Sequence, residues 1–351
     1  AGHLAKLGDK GGALIGGKGR YWLARTRVLQ QKKDDAIAIY RKLVGDYPLT
    51  YYAQLARLRL RELGVEVAPF GDAPRSNGAP AWDPSAKDKV SADPVFARAA
   101  ELADAGLHAQ AAEELRTVEA DLIKKHTAAR ALPALMAAYA RSQRFARPHR
   151  LAEGYGGSAL KLDPHRDAAA RPWWEWMYPL AHRTYVEKYG PLGENPPQYL
   201  YTIMQKESAY DPNDVSYADA IGLLQMIPPT SRKVAKTIGL DYTDDLLYDP
   251  AGNIQLGAWY IGHLLKKFKG QIPIGAGSYN AGPRAMGKWL VQNGKRPLDE
   301  FIELCSYTQT REYMKKVVDI YSHYVWLYGH DDYLPSLVVD ADYLGNDGID
   351  Y

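Results

Sequence analysis

A chain of 351 residues, 46% of them hydrophobic, is long enough to bury one full core and to build a second. Its 44 basic and 41 acidic residues leave a net charge of +3, too mild for a nucleic-acid-binding chain, and no uninterrupted apolar run reaches the length that spans a bilayer. The single cysteine, Cys305, cannot close an internal disulfide, so a free buried thiol is expected and the redox compartment is not readable from thiols.

The first residues, Ala1 to Gly19, lack an apolar segment of signal-peptide type, which predicts a mature or truncated chain. Residues 21–64 then read as three helices, Tyr21 to Gln31, Asp35 to Val44 and Thr50 to Leu63. Apolar residues recur at helical spacing, as in Ala36, Ile39, Tyr40 and Leu43, and Pro48 and Gly64 punctuate the ends. The paired-helix pattern, with Ala36 and Tyr40 four apart, looks like a tetratricopeptide-type hairpin. Val65 to Ser91 holds four prolines without periodicity and reads as a long irregular connection, either a linker or a strap packed across the helices.

Two further helices are predicted at Pro94 to Ala105 and Ala109 to Lys125, the first capped by Asp93 with Pro94 at its first position. Arg130 to Ser142 adds another, after which Gly154 to Pro172 carries little signal. Trp173, Trp174 and Trp176 follow closely; such a cluster stacks sugars or anchors two packed units. A helix over Leu180 to Tyr189 precedes the Asn195-Pro196-Pro197 break. Then come a helix ending at Glu207-Ser208, a loop through Ser216, a short helix from Thr230 to Gly239 and a long one from Ala251 to Lys269. The last helix, Thr308 to Tyr328, is followed by an acidic tail expected to be extended, or to lie along the surface on Tyr333, Leu337, Val338 and Tyr343.

Glu207 closes an apolar run containing Ile203 and Met204. A carboxyl group among Ile, Met and Tyr side chains is pushed toward its protonated form and can donate a proton near neutral pH. The 26 Tyr and 8 Trp against 5 Phe add rings with a polar handle, which line carbohydrate grooves and also fill helical repeats. The nine His show no paired metal-ligand spacing, and neither a nucleophile elbow nor a phosphate-binding glycine loop appears, so no metal and no cofactor are expected.

Five pieces occur in order: Glu207-Ser208; Ser216; Gly222-Leu223-Leu224-Gln225; Ser278-Tyr279-Asn280-Ala281-Gly282-Pro283; and Thr310-Arg311-Glu312-Tyr313. Together they resemble the lytic transglycosylases with a goose-lysozyme-like domain, specifically the soluble ones carrying a helical superhelix in front. The likeness is dense in motifs over residues 198–328 and only architectural before that. It implies an all-α fold: a superhelical domain over 1–190 including the connection 65–91, a lysozyme-like catalytic domain over 191–329, and a tail over 330–351.

The resemblance also implies a chemistry. Glycosidases usually need two carboxylates, whereas here a single Glu, Glu207, is implied to act first as acid and then as base in cleaving peptidoglycan to a 1,6-anhydro product. Ser216, Gln225, Tyr279 and Asn280 are implied to bind or position substrate, with Tyr279 close to Glu207. Tyr313 is placed either in the cleft or in the core of the last helix. The implied partners are peptidoglycan glycan strands, with a possible protein partner for the N-terminal repeats, and the implied location is the periplasm or bacterial cell envelope. Leu224, Ile227, Ser278 and Asp219 depart from the family pattern. Asp219 keeps open a hydrolase that uses water, and a scaffold that binds glycan without turnover is the remaining alternative.

Overall fold

The computed structural model describes residues 4, 6, 13–71, 78–196, 198–329 and 331–342. Among them every regular element is a helix; extended pairing is confined to isolated bridges that join Ile221 to Val215 and to Met226. None of the described helices is long and apolar enough to cross a membrane.

The first three helices are α1 (Ala13–Leu29), α2 (Lys33–Asp46) and α3 (Tyr51–Glu62). The middle of the chain holds α4 (Lys87–Ser91), α5 (Pro94–Asp104), α6 (His108–His126), α7 (Ala128–Arg141), α8 (Ala146–Gly156), α9 (Arg171–Met177) and α10 (Arg183–Tyr189). Start signals act locally as the sequence implies. Asp93 accepts a hydrogen bond from Val95 N at 3.1 Å, satisfying one of the orphan donors of α5, with Pro94 at the next position. By contrast, α8 begins after Phe145, which offers no side-chain cap, and this helix has no counterpart in the sequence reading.

The C-terminal helices are α11 (Tyr199–Ser208), α12 (Pro228–Ile238), α13 (Pro250–Lys267), α14 (Ile272–Ala281), α15 (Pro283–Asn293), α16 (Leu298–Glu303) and α17 (Thr308–Tyr324). Asp249 caps α13 by accepting from Gly252 N at 2.8 Å. Close approach of backbones sets the position of α13: a Cβ on Gly262 would sit 2.0 Å from the Gly193 carbonyl oxygen, so only glycine fits there.

Two hydrophobic cores run through the molecule. One joins α4 to α10 with α11, α13 and α17, and contains Trp173, Trp174, Tyr199, Met204, Leu224 and Tyr324. The other joins α1 to α3 with the C-terminal helices, through Tyr21, Tyr40, Leu43, Leu55, Phe268, Met286, Phe301 and Met314. The second interface is stitched by buried charge. Asp299, fully buried, accepts from Tyr21 Oη at 2.5 Å and Arg59 Nη2 at 2.7 Å. Glu303 likewise accepts from Tyr52 Oη at 2.5 Å and pairs with Lys18 and Lys315 at 2.6 and 2.8 Å.

The irregular connection behaves as a strap over its described part. Phe70 packs on Trp174 and Trp326, Trp82 meets Trp173 edge-on at 5.0 Å, and Asp83 N donates to Ala129 O at 2.8 Å. Trp173 and Trp174 are buried and donate their indole N–H groups to the Pro80 and Ala159 carbonyls. They anchor packing, and sugar stacking on their faces is excluded.

The tail also straps the surface. Tyr333 packs edge-on against Tyr321 at 4.8 Å, its carbonyl accepts from Gln54 Nε2, and the Leu337 carbonyl accepts from Leu298 N. Val339, not Val338, is the buried valine, because the extended chain turns alternate side chains inward. Tyr343 lies outside the described residues.

Candidate active site

α11 delivers Glu207 on its last turn. The turn ends abruptly, with Ala209 and Tyr210 both in the left-handed region at φ 48° and 69°, a conformation that non-glycine residues adopt only when the surroundings hold them there. Two hydroxyls do the holding. Ser208 Oγ donates to the Leu223 carbonyl at 2.8 Å, and Tyr210 Oη shares a 2.7 Å hydrogen bond with Tyr324 Oη inside the core. The chain reversal that presents Glu207 is therefore tied to the loop after it and to α17.

That loop is bonded mainly to itself. Gly222 N donates to Asp214 O at 2.9 Å, Ser216 N donates to Ala220 O, and Ile221 and Met226 exchange backbone hydrogen bonds. Gly222 adopts φ 78°, and a Cβ there would lie 2.1 Å from the Leu247 carbonyl oxygen. Asn253 on α13, fully buried, locks the loop from behind. Its Nδ2 donates to Ile221 O at 2.9 Å and Leu247 O at 2.8 Å, and its Oδ1 accepts from Leu224 N at 2.9 Å.

The carboxyl of Glu207 accepts a short hydrogen bond from Tyr313 Oη at Oε1, and Oε2 has no hydrogen-bond partner among the described residues. Tyr313 is 2% exposed: its ring belongs to the core and its hydroxyl reaches the acid. Burial raises the Glu207 pKa above the usual carboxylate range. The Tyr313 hydrogen bond and Lys206 pull it back down, and the nearby Asp214 charge pushes it further up. Burial and the adjoining carboxylate hold the Tyr313 phenol well above its ordinary pKa, so it stays a donor. Lys206 stacks its ammonium over the Tyr313 ring, 4.7 Å from the centroid.

The other predicted residues divide into two groups. Tyr279, on α14, donates to the Leu224 carbonyl at 2.5 Å and lies against Met226 Sδ at 3.2 Å, so the hydroxyl seated on Glu207 is that of Tyr313. Gln225, at φ 48°, turns its amide back onto its own loop, donating to Asp214 O at 2.9 Å and Gly222 O at 3.1 Å. Ser216 Oγ accepts from the backbone of Ala218 and Ala220 at 3.2 and 3.0 Å. Asn280, in the last turn of α14, accepts at Oδ1 from Thr310 Oγ1 at 2.8 Å and so joins the end of that helix to the start of α17.

Asp219 stands exposed on the loop in the left-handed region at φ 57°. The carboxylate that acts on Glu207 is Asp214. Sequence reasoning missed Asp214, Asn253 and Tyr217, whose ring is 96% exposed beside Ser216. An Asp in D-P-N-D reads as turn composition, and nothing in its spacing marks which of three aspartates faces the acid. The arrangement as a whole holds one proton donor in a low-dielectric surround, oriented by a neutral hydroxyl, with a rigid loop carrying polar groups beside it.

Residues 184–302 match the transglycosylase SLT domain family. The chain is 27% identical over 305 residues to a protein of Haemophilus influenzae named as a putative soluble lytic murein transglycosylase, covering 85% of this chain and 45% of that one. It is 29% identical over 165 residues to the soluble lytic murein transglycosylase of Escherichia coli, covering 46% and 26% of the two chains. The 70 kDa soluble lytic transglycosylase structure from Escherichia coli superposes at a TM-score of 0.67 with 24% identity, over 93% of this chain and 48% of that chain. The lytic transglycosylase Slt from Pseudomonas aeruginosa gives 0.64 with 23% identity, over 94% and 49%. The fold is therefore the all-α fold of these proteins, and the chain spans less than half the length of the curated relatives it matches.

Proposed function

We propose that this protein, whose residues 184–302 match the transglycosylase SLT domain family, is a lytic transglycosylase of peptidoglycan. It cleaves the β-1,4 bond between N-acetylmuramic acid and N-acetylglucosamine by intramolecular closure to a 1,6-anhydro sugar. One observation carries the reading: Glu207 is pushed toward its protonated form by burial and, among the described residues, is hydrogen-bonded by Tyr313 at one oxygen only.

In the first step the Glu207 proton passes to the glycosidic oxygen as the C1–O bond breaks, and the N-acetylglucosamine end leaves as an alcohol. The sugar's own acetamido oxygen stabilises the cationic C1. The 6-hydroxyl then attacks C1, its proton returns to Glu207, and the acid is regenerated. No protein nucleophile is needed. Tyr313 orients the carboxyl, while Ser216, Gln225, Tyr279 and Asn280 shape the substrate side of the loop and turn. Residues 191–329 form the catalytic domain in this reading, 1–190 a superhelical domain of tetratricopeptide-like hairpins that contacts the strand or a protein partner, and 330–351 a tail. The working compartment is the periplasm.

Mass spectrometry of muropeptides released from purified sacculi tests the chemistry. Anhydro ends are expected, with Glu207→Gln reducing their release by a factor of about 100 to 10,000. Reducing ends would instead assign water as the nucleophile, and turnover unchanged in Glu207→Gln would remove Glu207 from its role.

A further inference from the structure

Where the middle helices meet the start of α13, a cavity of about 570 Å³ is lined by His108, Gln143, Phe145, His182, Tyr185 and Pro250, among others. None of these belongs to the Glu207 site. His182 is 5% exposed, and neither of its ring nitrogens has a hydrogen-bond partner; His108 Nδ1, buried in the same wall, also has none. Leaving buried polar atoms unpaired costs free energy, and native folds rarely keep several in one place without a use. The backbone adds to this. His182 sits at φ 52° and Gln143 at φ 55°, so two strained residues border the same cavity.

The lining fixes the chemistry of the occupant. Burial, aided by Arg144, lowers the His182 pKa to about 4, so near neutral pH the imidazole offers one donor and one acceptor. A sugar hydroxyl, which donates and accepts, matches that pair. Gln143 and Thr184 add neutral hydrogen-bonding groups. Tyr185, 37% exposed, presents a ring for a sugar face, and Phe145 packs against His182 at 5.1 Å. Among the described residues the lining holds no carboxylate and one guanidinium, that of Arg183, which pairs with Glu187 at 2.6 Å; this disfavours a metal cation.

We propose that this cavity is a secondary saccharide-binding site that holds an N-acetylated sugar of the glycan strand away from Glu207. It rests on the peptidoglycan reading for the identity of the strand. By gripping the polymer at the junction of the two parts of the molecule, it raises the effective concentration of the strand at the catalytic loop.

The Glu207→Gln protein, titrated with N-acetylglucosamine tetramer, tests it by imidazole nitrogen NMR and calorimetry. The His182 ring nitrogens are expected to shift on saturation, and Tyr185→Ala and His182→Phe are each expected to weaken that binding step about tenfold, as loss of one or two hydrogen bonds or a ring contact does. Tyr185 is on the surface, so its variant folds even if the strained position 182 does not accept Phe. In otherwise wild-type protein, Tyr185→Ala leaves the rate on short soluble glycans unchanged and slows release from sacculi. His182 nitrogens that do not respond to tetramer, that respond only to Zn²⁺, or binding unaltered in Tyr185→Ala would overturn the site. Product analysis of the wild-type protein reads the catalytic proposal separately, since anhydro ends arise whether or not this second site exists.

Discussion

In the proposed mechanism Glu207 holds a proton in a place that penalises its charge, and later carries that charge. Burial and the Asp214 carboxylate raise its pKa, while the Tyr313 hydroxyl and Lys206 favour the ionised form. The acid step needs the protonated group in the free enzyme, so kcat/KM falls as pH rises through the Glu207 pKa. Removing the Tyr313 hydroxyl removes a bond to the carboxylate form. Tyr313→Phe is therefore expected to move this descending limb to higher pH while lowering kcat, because the carboxyl loses its orienting partner. Asp214→Asn deletes a repulsive charge and is expected to move the limb to lower pH. A pH series of kcat/KM for the three proteins checks both signs, and shifts in one common direction would refute the assignment. Stability follows the same linkage. A carboxyl whose pKa is raised on folding contributes most below its unfolded pKa of about 4.3, and that contribution is lost as pH rises through the folded value. Glu207→Gln keeps the shape without the buried charge, so its melting temperature is expected above that of the parent at pH 7. The difference should vanish below about pH 4, where both side chains are neutral.

The element that fixes the loop beside Glu207 is α13, through one side chain. Asn253 satisfies Leu224 N, Ile221 O and Leu247 O at once. Asn253→Ala leaves three buried backbone groups without partners at about 1–3 kcal/mol each, so urea unfolding should show a loss of about 3 kcal/mol or more. Activity should fall beyond what the folded fraction explains, since Gln225 belongs to that loop and Tyr279 donates to its Leu224 carbonyl. Helix periodicity made the apolar face of α13 legible, with Ile254, Gly257, Ile261 and Leu265 all inward. It could not reveal Asn253, because a polar residue just inside a capped first turn reads as solvated until the neighbouring loop is seen to bury it. The same limit applied to α8, which starts after Phe145 without a side-chain cap, and to the 65–91 connection, whose prolines signal irregularity but not whether Phe70 and Trp82 pack. Glu207 was legible because apolar neighbours in sequence already imply a buried carboxyl. The hydroxyl that holds it comes from a position 106 residues away, a pairing that local patterns do not encode; the resemblance put Tyr279 close to Glu207 and left Tyr313 in the cleft or the core.

In the whole molecule, α1 to α3 are packed against the C-terminal helices and share a core with them, so the first helices brace the unit that carries Glu207. The brace reaches α17 directly. Lys315, two residues beyond Tyr313, is buried and paired with Glu303, which Tyr52 and Lys18 also engage. One turn of polypeptide thus links the N-terminal helices to the hydroxyl on the acid. Asp299 is the most sensitive point of this interface, because its fully buried carboxylate faces Arg59, Arg25 and Tyr21 from the other side. Removing one partner of a buried pair leaves the others desolvated and unmatched, which costs about 3–5 kcal/mol. Asp299→Ala is expected to lower the unfolding free energy by that much, with a matching fall in the urea midpoint. Arg116→Ala, which breaks an exposed pair with Glu113 on α6, should leave the midpoint unchanged. If the brace also positions α17, Asp299→Ala will lower kcat at urea-free concentrations where circular dichroism still reports a folded protein, and the Arg116 variant will not. Equal activity in the two variants would restrict the N-terminal helices to stability alone and detach them from the geometry of Glu207.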